Sequence, residues 1–360
     1  MLGYCTNVHS GHTFHDILHN IKTFCKPICA AAAKPSGIGL WLSAQALQEM
    51  EVRELKDTLE ESSVEVFTMN AFPYSNFHAS IVKQDVYRPT WCMEERLDYT
   101  IASARLLASI TNETEAGIST LPLGWDQDSF SNSDAASMLR RCVIQLEEIE
   151  QDTGICIHID IETEPGCRLQ RASELSSFIH DFFPDDEKIR KYIRVCHDTC
   201  HSAVMQEDIS ECIDYYEKAG LSIGKVQLSS AIELHIDEHS TKQEYDSLFA
   251  IHEQRYLHQT SVLNRGKYVL YEDIPFIPNV MSEGLWRMHY HVPIHLKKFG
   301  AFGTTQIDLI DCISRLKEYG VNHWEVETYT WDVMPANTKT NDLIDSISKE
   351  LQWAAKQINK

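Results

Sequence analysis

The feature that most constrains this chain is an alternation, sustained from end to end, of short apolar or period-two runs with segments of helical period. Candidate strands are 2–8, 37–42, 64–70, 117–123, 155–162, 192–198, 225–229, 286–294 and 323–329. Between them lie apolar stripes at helical spacing. Met138, Cys142, Leu146 and Ile149 form one, closed by Gly154; Val204, Ile209, Cys212, Ile213 and Tyr216 form another, closed by Gly220. Leu309, Ile313 and Leu316 form a third, ended by Gly320, where Thr305 with Asp308 three residues on reads as a capped start. Strand, helix, strand at this spacing is the pattern of parallel βαβ units. No G-x-G-x-x-G follows the first strand and no G-x-x-x-x-G-K-[ST] occurs, which removes support for the common nucleotide-binding open sheets. The number of units and the 360 residues favour a (β/α)₈ TIM barrel, read as a single domain over 1–360. Nine strand candidates exceed eight barrel positions, so a long insertion late in the chain is expected, in the irregular stretch 231–295.

Composition narrows the partners. The formal net charge is −21, from 53 acidic and 32 basic residues, and such a field repels phosphate backbones, so no nucleic-acid partner is expected. A small phosphorylated substrate is less strongly disfavoured, because a bound metal inverts the local charge. The 11 cysteines include no C-x-x-C pair and read as small buried residues of a reducing cytosol. There is no signal-peptide pattern at the start and no apolar run of the roughly 20 residues that span a bilayer, so a cytoplasmic location is expected.

The polar residues that carry chemistry fall at the C-terminal ends of candidate strands, where barrels of this type build their sites. In Val195-Cys196-His197-Asp198-Thr199-Cys200-His201 the strand delivers Asp198, and His201 follows as the chain turns. A carboxylate and an imidazole at that spacing can meet one cation; equally, Asp198 can cap the next helix. In Ile157-His158-Ile159-Asp160-Ile161-Glu162-Thr163-Glu164, period two places His158, Asp160, Glu162 and Glu164 on the interior side, where buried carboxylates require a counter-charge. Glu325 and Glu327 share a face of the last strand. His289 and His291 project the same way, as a chelating pair or as a hydrogen-bonded core pair. His9 and Asn70 close the first and third strands and suit the lining of a mouth; Trp125, Trp286 and Trp331 are candidate apolar walls for a ligand, or simply core.

Asp198-Thr199-Cys200-His201 at a strand end, an upstream strand ending in Glu162 and a last strand ending Glu327-Thr328 resemble the xylose isomerase-like TIM-barrel superfamily. That superfamily includes sugar-phosphate isomerases and epimerases and endonuclease IV-type apurinic enzymes. Over essentially its full length the chain is also similar to the EboE-type metabolite-traffic proteins of bacterial ebo gene clusters. The stretches 161–167, 289–293 and 327–331 and Tyr256-Leu257-His258-Gln259 carry that likeness. The superfamily resemblance implies metal carboxylates at Glu162, Asp198 and Glu327, with His201 as the histidine of D-x-x-H. It also implies a histidine ligand on the next strand, where this chain has Gln227. A neutral amide binds a divalent ion more weakly than imidazole, so either His258, His289 or His291 takes that place or the ion is held less tightly. The implied cofactor is a divalent metal, with Mg²⁺ or Mn²⁺ suited to a carboxylate site and Zn²⁺ to several imidazoles.

Three functions follow as expectations. The first is an isomerase or epimerase of a small metabolite, in which Glu162 and Glu327 exchange a carbon-bound proton and Glu164, Asn70, His9 and Trp125 contact the substrate. The second is metal-dependent phosphoester hydrolysis. The third is a non-catalytic barrel that binds a metabolite, carbohydrate or phosphorylated, among other ebo-pathway proteins.

Overall fold

The computed structural model describes residues 1–32, 36–332 and 342–360. Eight parallel strands close into a barrel: β1 (Leu2–Cys5), β2 (Ser36–Trp41), β3 (Val66–Asn70), β4 (Glu115–Thr120), β5 (Cys156–Glu162), β6 (Ile193–Asp198), β7 (Ile223–Leu228) and, last in the chain, β14 (Trp324–Val326). Neighbours follow chain order, and β14 closes the ring between β7 and β1. Ile157, Ile159 and Ile161 of β5 are fully buried under the helices, while His158, Asp160 and Glu162 point inward. The helix Asn132–Thr153 begins where the Ser131 hydroxyl accepts from two backbone amides, and it stops at Gly154, whose φ of 74° places it in the left-handed region.

The ninth strand candidate is not a barrel strand. After β7 the chain leaves the barrel and builds a six-stranded sheet from β8 (Ile232–Ile236), β9 (Thr260–Asn264), β10 (Lys267–Tyr271), β11 (Gly284–Met288), β12 (Lys298–Phe299) and β13 (Phe302–Thr304). All its pairings are antiparallel. This excursion extends past residue 295, and β11 ends at Met288, so that 289–294 runs as irregular chain. That run carries His289 and His291 back over the barrel mouth. The helix expected to start at Thr305 does start there, with Asp308 in its first turn, but without a side-chain cap from Thr305. Its hydroxyl accepts from the Ala231 amide at 2.9 Å, and Asp308 pairs with Arg287 at 2.5 Å, so both groups tie the excursion to the barrel.

Among the described residues no helix is long and apolar enough to cross a membrane.

Candidate metal centre

The site is assembled from strand ends and the returning loop. β5 delivers Glu162, with Glu164 two residues on; β6 delivers Asp198, with His201 in the helix Thr199–Val204; β7 delivers Gln227; and β14 runs into Glu327. The irregular run after β11 adds His289 and His291. All are buried.

Asp198 caps the next helix with one oxygen and leaves the other without a partner. Its Oδ1 accepts from the amides of Cys200 (2.7 Å) and His201 (2.9 Å) and from the Ser229 hydroxyl (2.7 Å), which is a helix cap. Its Oδ2 is buried with no hydrogen-bond partner, as is Oε2 of Glu162. One oxygen each of Glu162, Asp198 and Glu327 lie within 4.8 Å of one another. Burial, then the proximity of Glu327, holds the Glu162 carboxyl well above the usual carboxylate range. Burial, then Asp198 and Glu325, raises Glu327 as well. Burial acts the same way on Asp198, but His201, His291 and its hydrogen bonds outweigh it and hold this carboxyl low. Asn7 donates to Glu327 Oε1 at 2.8 Å and Asn70 donates to the same oxygen at 3.2 Å. The Gln227 amide nitrogen bridges Glu162, at 3.3 Å, and Glu327, while its oxygen accepts from Cys196 at 2.9 Å. Gln227 therefore turns its NH₂, not its carbonyl, to the carboxylates, and fixes their orientation.

Beside the carboxylates lie three imidazoles with a common tether. Nδ1 of His201 is 2.9 Å from the Thr163 carbonyl, and Nδ1 of His291 is 2.9 Å from the Glu327 carbonyl. Nδ1 of His289 is 2.7 Å from Oε1 of Gln259, an amide whose NH₂ is committed to the Pro165 carbonyl at 2.9 Å. A carbonyl oxygen only accepts, so each Nδ1 carries a proton, and in the neutral rings of His289 and His291 Nε2 is left with a lone pair. His289 Nε2 and His291 Nε2 face each other at 3.1 Å. Burial, reinforced for His289 by the other imidazoles, lowers the proton affinity of both rings, so neither supplies a second proton to that contact. His201 differs: burial is outweighed by Asp198 and Glu164, and its affinity is raised. Its Nε2 is 3.0 Å from Glu164 Oε2, and Tyr87 donates to Glu164 Oε1 at 2.9 Å. Ligand atoms of Glu164, His201 and His289 lie within 4.8 Å of one another, as do those of Asp198, His201 and His291. Opposed lone pairs and partnerless carboxylate oxygens in one buried space are a donor set that fits a divalent cation.

Five sequence candidates stand elsewhere. His258 has both ring nitrogens engaged, by the His289 carbonyl and by Glu253, each at 2.8 Å, which leaves none for a cation. His9 bonds the Tyr4 hydroxyl at 2.9 Å and stacks on Phe24, because the chain turns through a 3₁₀ segment (Thr6–Val8) after β1; Asn7 takes the place expected of His9. Trp125 stacks behind Tyr87 at 4.8 Å, and it is Tyr87 that lines the cavity. Trp286 is buried in the second sheet, and Trp331 is buried away from the cavity walls. Asn7, Tyr87 and Gln259 were missed by the sequence reading, since nothing local marks an asparagine in a turn or loop residues that meet strand ends through space.

An eight-stranded parallel barrel with helices between its strands is the (β/α)₈ TIM-barrel fold. The structure superposes on D-allulose 3-epimerase from Methylomonas sp., solved with D-allulose, with a TM-score of 0.54, 11% identity, and 99% of this chain and 96% of that chain covered. It superposes on a xylose isomerase-like TIM barrel protein from Mycobacterium smegmatis, solved with magnesium, with a TM-score of 0.53, 8% identity, and coverage of 99% and 96%. No model of a known protein family matches the sequence, and no curated protein matches it.

Proposed function

We propose that this chain is a divalent-metal-dependent enzyme of the sugar isomerase/epimerase-like barrel class, acting on a small metabolite. The observation that carries this reading is the set of three imidazoles whose Nδ1 atoms are fixed on carbonyls, so that their Nε2 atoms share one space with partnerless oxygens of Glu162 and Asp198. His201, His289, His291 and Glu164 form an imidazole-rich half that suits Zn²⁺; Glu162, Asp198 and Glu327 form a carboxylate half that suits Mg²⁺ or Mn²⁺. An ion bound there supplies Lewis acidity to a carbonyl or hydroxyl oxygen of the substrate. Glu162 and Glu327 are the pair assigned to take up and return a carbon-bound proton. Gln227, Asn7 and Asn70 hold those carboxylates in place through donated hydrogen bonds. The epimerase bound to D-allulose supports a carbohydrate-like substrate only through the shared fold. A place in an ebo-type metabolite-traffic pathway rests on the sequence stretches named above, and a cytoplasmic location rests on eleven unpaired cysteines.

The imidazole-rich half also favours a second reading, metal-assisted phosphoester hydrolysis. The two separate by incubating metal-loaded protein in D₂O with aldoses, ketoses and simple α-hydroxyketones, and in parallel with p-nitrophenyl phosphate. Metal-dependent deuterium incorporation at carbon that disappears in Glu327→Gln is the expected result. Phosphate release without exchange would replace the isomerase reading with the hydrolase, and neither activity in a metal-loaded protein would leave a binding barrel.

A further inference from the structure

Above the donor cluster the walls change character. The cavity that opens onto Glu162, His201 and His291 measures about 50 Å³, room for an ion and a few waters but not for a sugar. A second space of about 510 Å³ adjoins it, and the two share Pro73, Phe77, Val82 and Val86 as walls. Every shared residue is apolar. Phe77 packs against Tyr256 and Tyr329 with ring centroids 5.0 Å apart in each case, and Tyr329 lies 4.5 Å from the His291 ring, so an aromatic surface runs from the collar down to the imidazoles.

A substrate whose far end carried phosphate would need a cation there. Among the described residues the one lysine or arginine lining the inner cavity is Lys83, and its Nζ is held by Asp273 at 2.7 Å, the Tyr256 carbonyl at 2.6 Å and the Glu253 carbonyl at 3.4 Å; the other cationic group, His201, is engaged by Glu164 at the donor cluster. In the adjoining space the single cation is Arg88, paired with both carboxylate oxygens of Asp128 at 3.2 and 2.8 Å. The buried Arg96 donates to the carbonyls of Pro89, Ala71 and Phe72 and thereby shapes the loop that bears the collar.

We infer that the substrate has two unlike ends: an oxygen-bearing head of the α-hydroxyketone or vicinal-diol kind at the donor cluster, and an uncharged apolar tail, an aromatic ring or branched chain, in the Phe77–Val82–Val86 collar. This rests on the metal reading above for the head, and on the collar alone for the tail.

Three α-hydroxyketones with a common head test it: hydroxyacetone, 2-hydroxyacetophenone and dihydroxyacetone phosphate. Their dissociation constants are measured by calorimetry on the full chain, with and without added Zn²⁺ or Mn²⁺, and bound metal is determined separately by elemental analysis. The phenyl compound is expected to bind at least ~10-fold more tightly than hydroxyacetone, an increment of ~1.4 kcal/mol. That advantage should fall to about threefold or less in Phe77→Ser, and in Val86→Ser should the first variant fold poorly, with metal content unchanged. Absence of a phenyl advantage, its survival in both collar variants, or tighter binding of dihydroxyacetone phosphate than of the phenyl compound would overturn the inference. A protein that takes up no ion yet keeps the collar-dependent phenyl advantage supports the inference and counts against the metal reading alone.

Discussion

In the depth of the barrel Lys225 on β7 meets Glu325 on β14 at 3.2 Å and donates to Ser119 on β4 at 3.0 Å, while His158 and Asp160 of β5 pair at 2.6 Å. Two residues further along the same strands stand Gln227, Glu327 and Glu162, where the cation has become an amide and the carboxylates crowd one another. Period two puts both sets inside the barrel, so burial is shared, and each set keeps partnerless oxygens (Asp160 Oδ2 and Glu325 Oε2 below, Glu162 Oε2 and Asp198 Oδ2 above); what differs is the lysine of the deep set. The deep set is accommodated by missing side chains: a Cβ at Gly39 would lie 1.5 Å from the Glu325 carboxylate, and one at Gly117 or Gly224 would lie 2.1 Å from Asp160. The contrast teaches which buried charges belong to the scaffold and which await a ligand. In the depth a lysine answers the carboxylate directly; at the rim His201 offsets Asp198 and Glu164, but Glu162 and Glu327 still crowd each other with raised proton affinity, and it is there that a bound cation is proposed.

The comparison breaks most visibly at Lys225. Replacing it by Met leaves Glu325 buried without its cation and should cost about 3–5 kcal/mol in urea unfolding. The double variant with Glu325→Leu should recover much of that loss. Equal destabilisation in single and double variants would show that the pair is not the relevant unit.

Glu350 sharpens the contrast as a buried carboxyl with neither cation nor donor cluster. It accepts from the Ile294 amide at 3.0 Å and the Thr328 hydroxyl at 2.7 Å, and burial pushes its pKa from 4.5 up to about 7. The folded state thus holds this proton more tightly than the unfolded chain. Its contribution is complete below about pH 4.5 and is lost as pH rises to about 7, by up to ~3 kcal/mol. Glu350→Gln should remove that part of the pH dependence of stability; an unchanged slope would refute the assignment.

The smallest effect is expected at the mouth itself. Because burial and its acidic neighbours raise Glu327, ionising it costs the metal-free fold stability. Glu327→Gln should therefore stabilise the chelator-treated protein at pH 8 by about 1–2 kcal/mol while weakening metal uptake. Thermal melts with and without EDTA decide this, and destabilisation in the metal-free state would place Glu327 with the structural set.

Much of this was legible in the sequence, because period two and strand-end position are local properties. Glu162, Asp198 and Glu327 could be placed on one rim, with His201 one turn beyond, from the chain alone. The parts that were not legible depend on contacts distant in sequence. Whether His258 or His291 offers a free nitrogen is decided by Glu253 and by the Glu327 carbonyl, and no spacing reveals which carbonyl a ring will meet. The choice of Asn7 over His9 turns on three residues adopting a 3₁₀ turn where a strand was expected. The run 286–294 has strand-like composition because its first part is a strand, although of the second sheet. Thr305 and Asp308 carry a helix-start pattern and do stand at a helix start, but their side chains are turned to fastening that sheet.

The central claim is that the mouth needs an external cation, and metal stoichiometry measures it directly. Purified protein, stripped with chelator and dialysed against Zn²⁺, Mn²⁺ or Mg²⁺, is analysed for bound metal beside Asp198→Asn and His291→Ala. The account predicts at least one equivalent in the wild type, and affinity reduced at least ~100-fold in both variants, equal to ~2.7 kcal/mol. No bound ion in the wild type, or full occupancy in both variants, would contradict it.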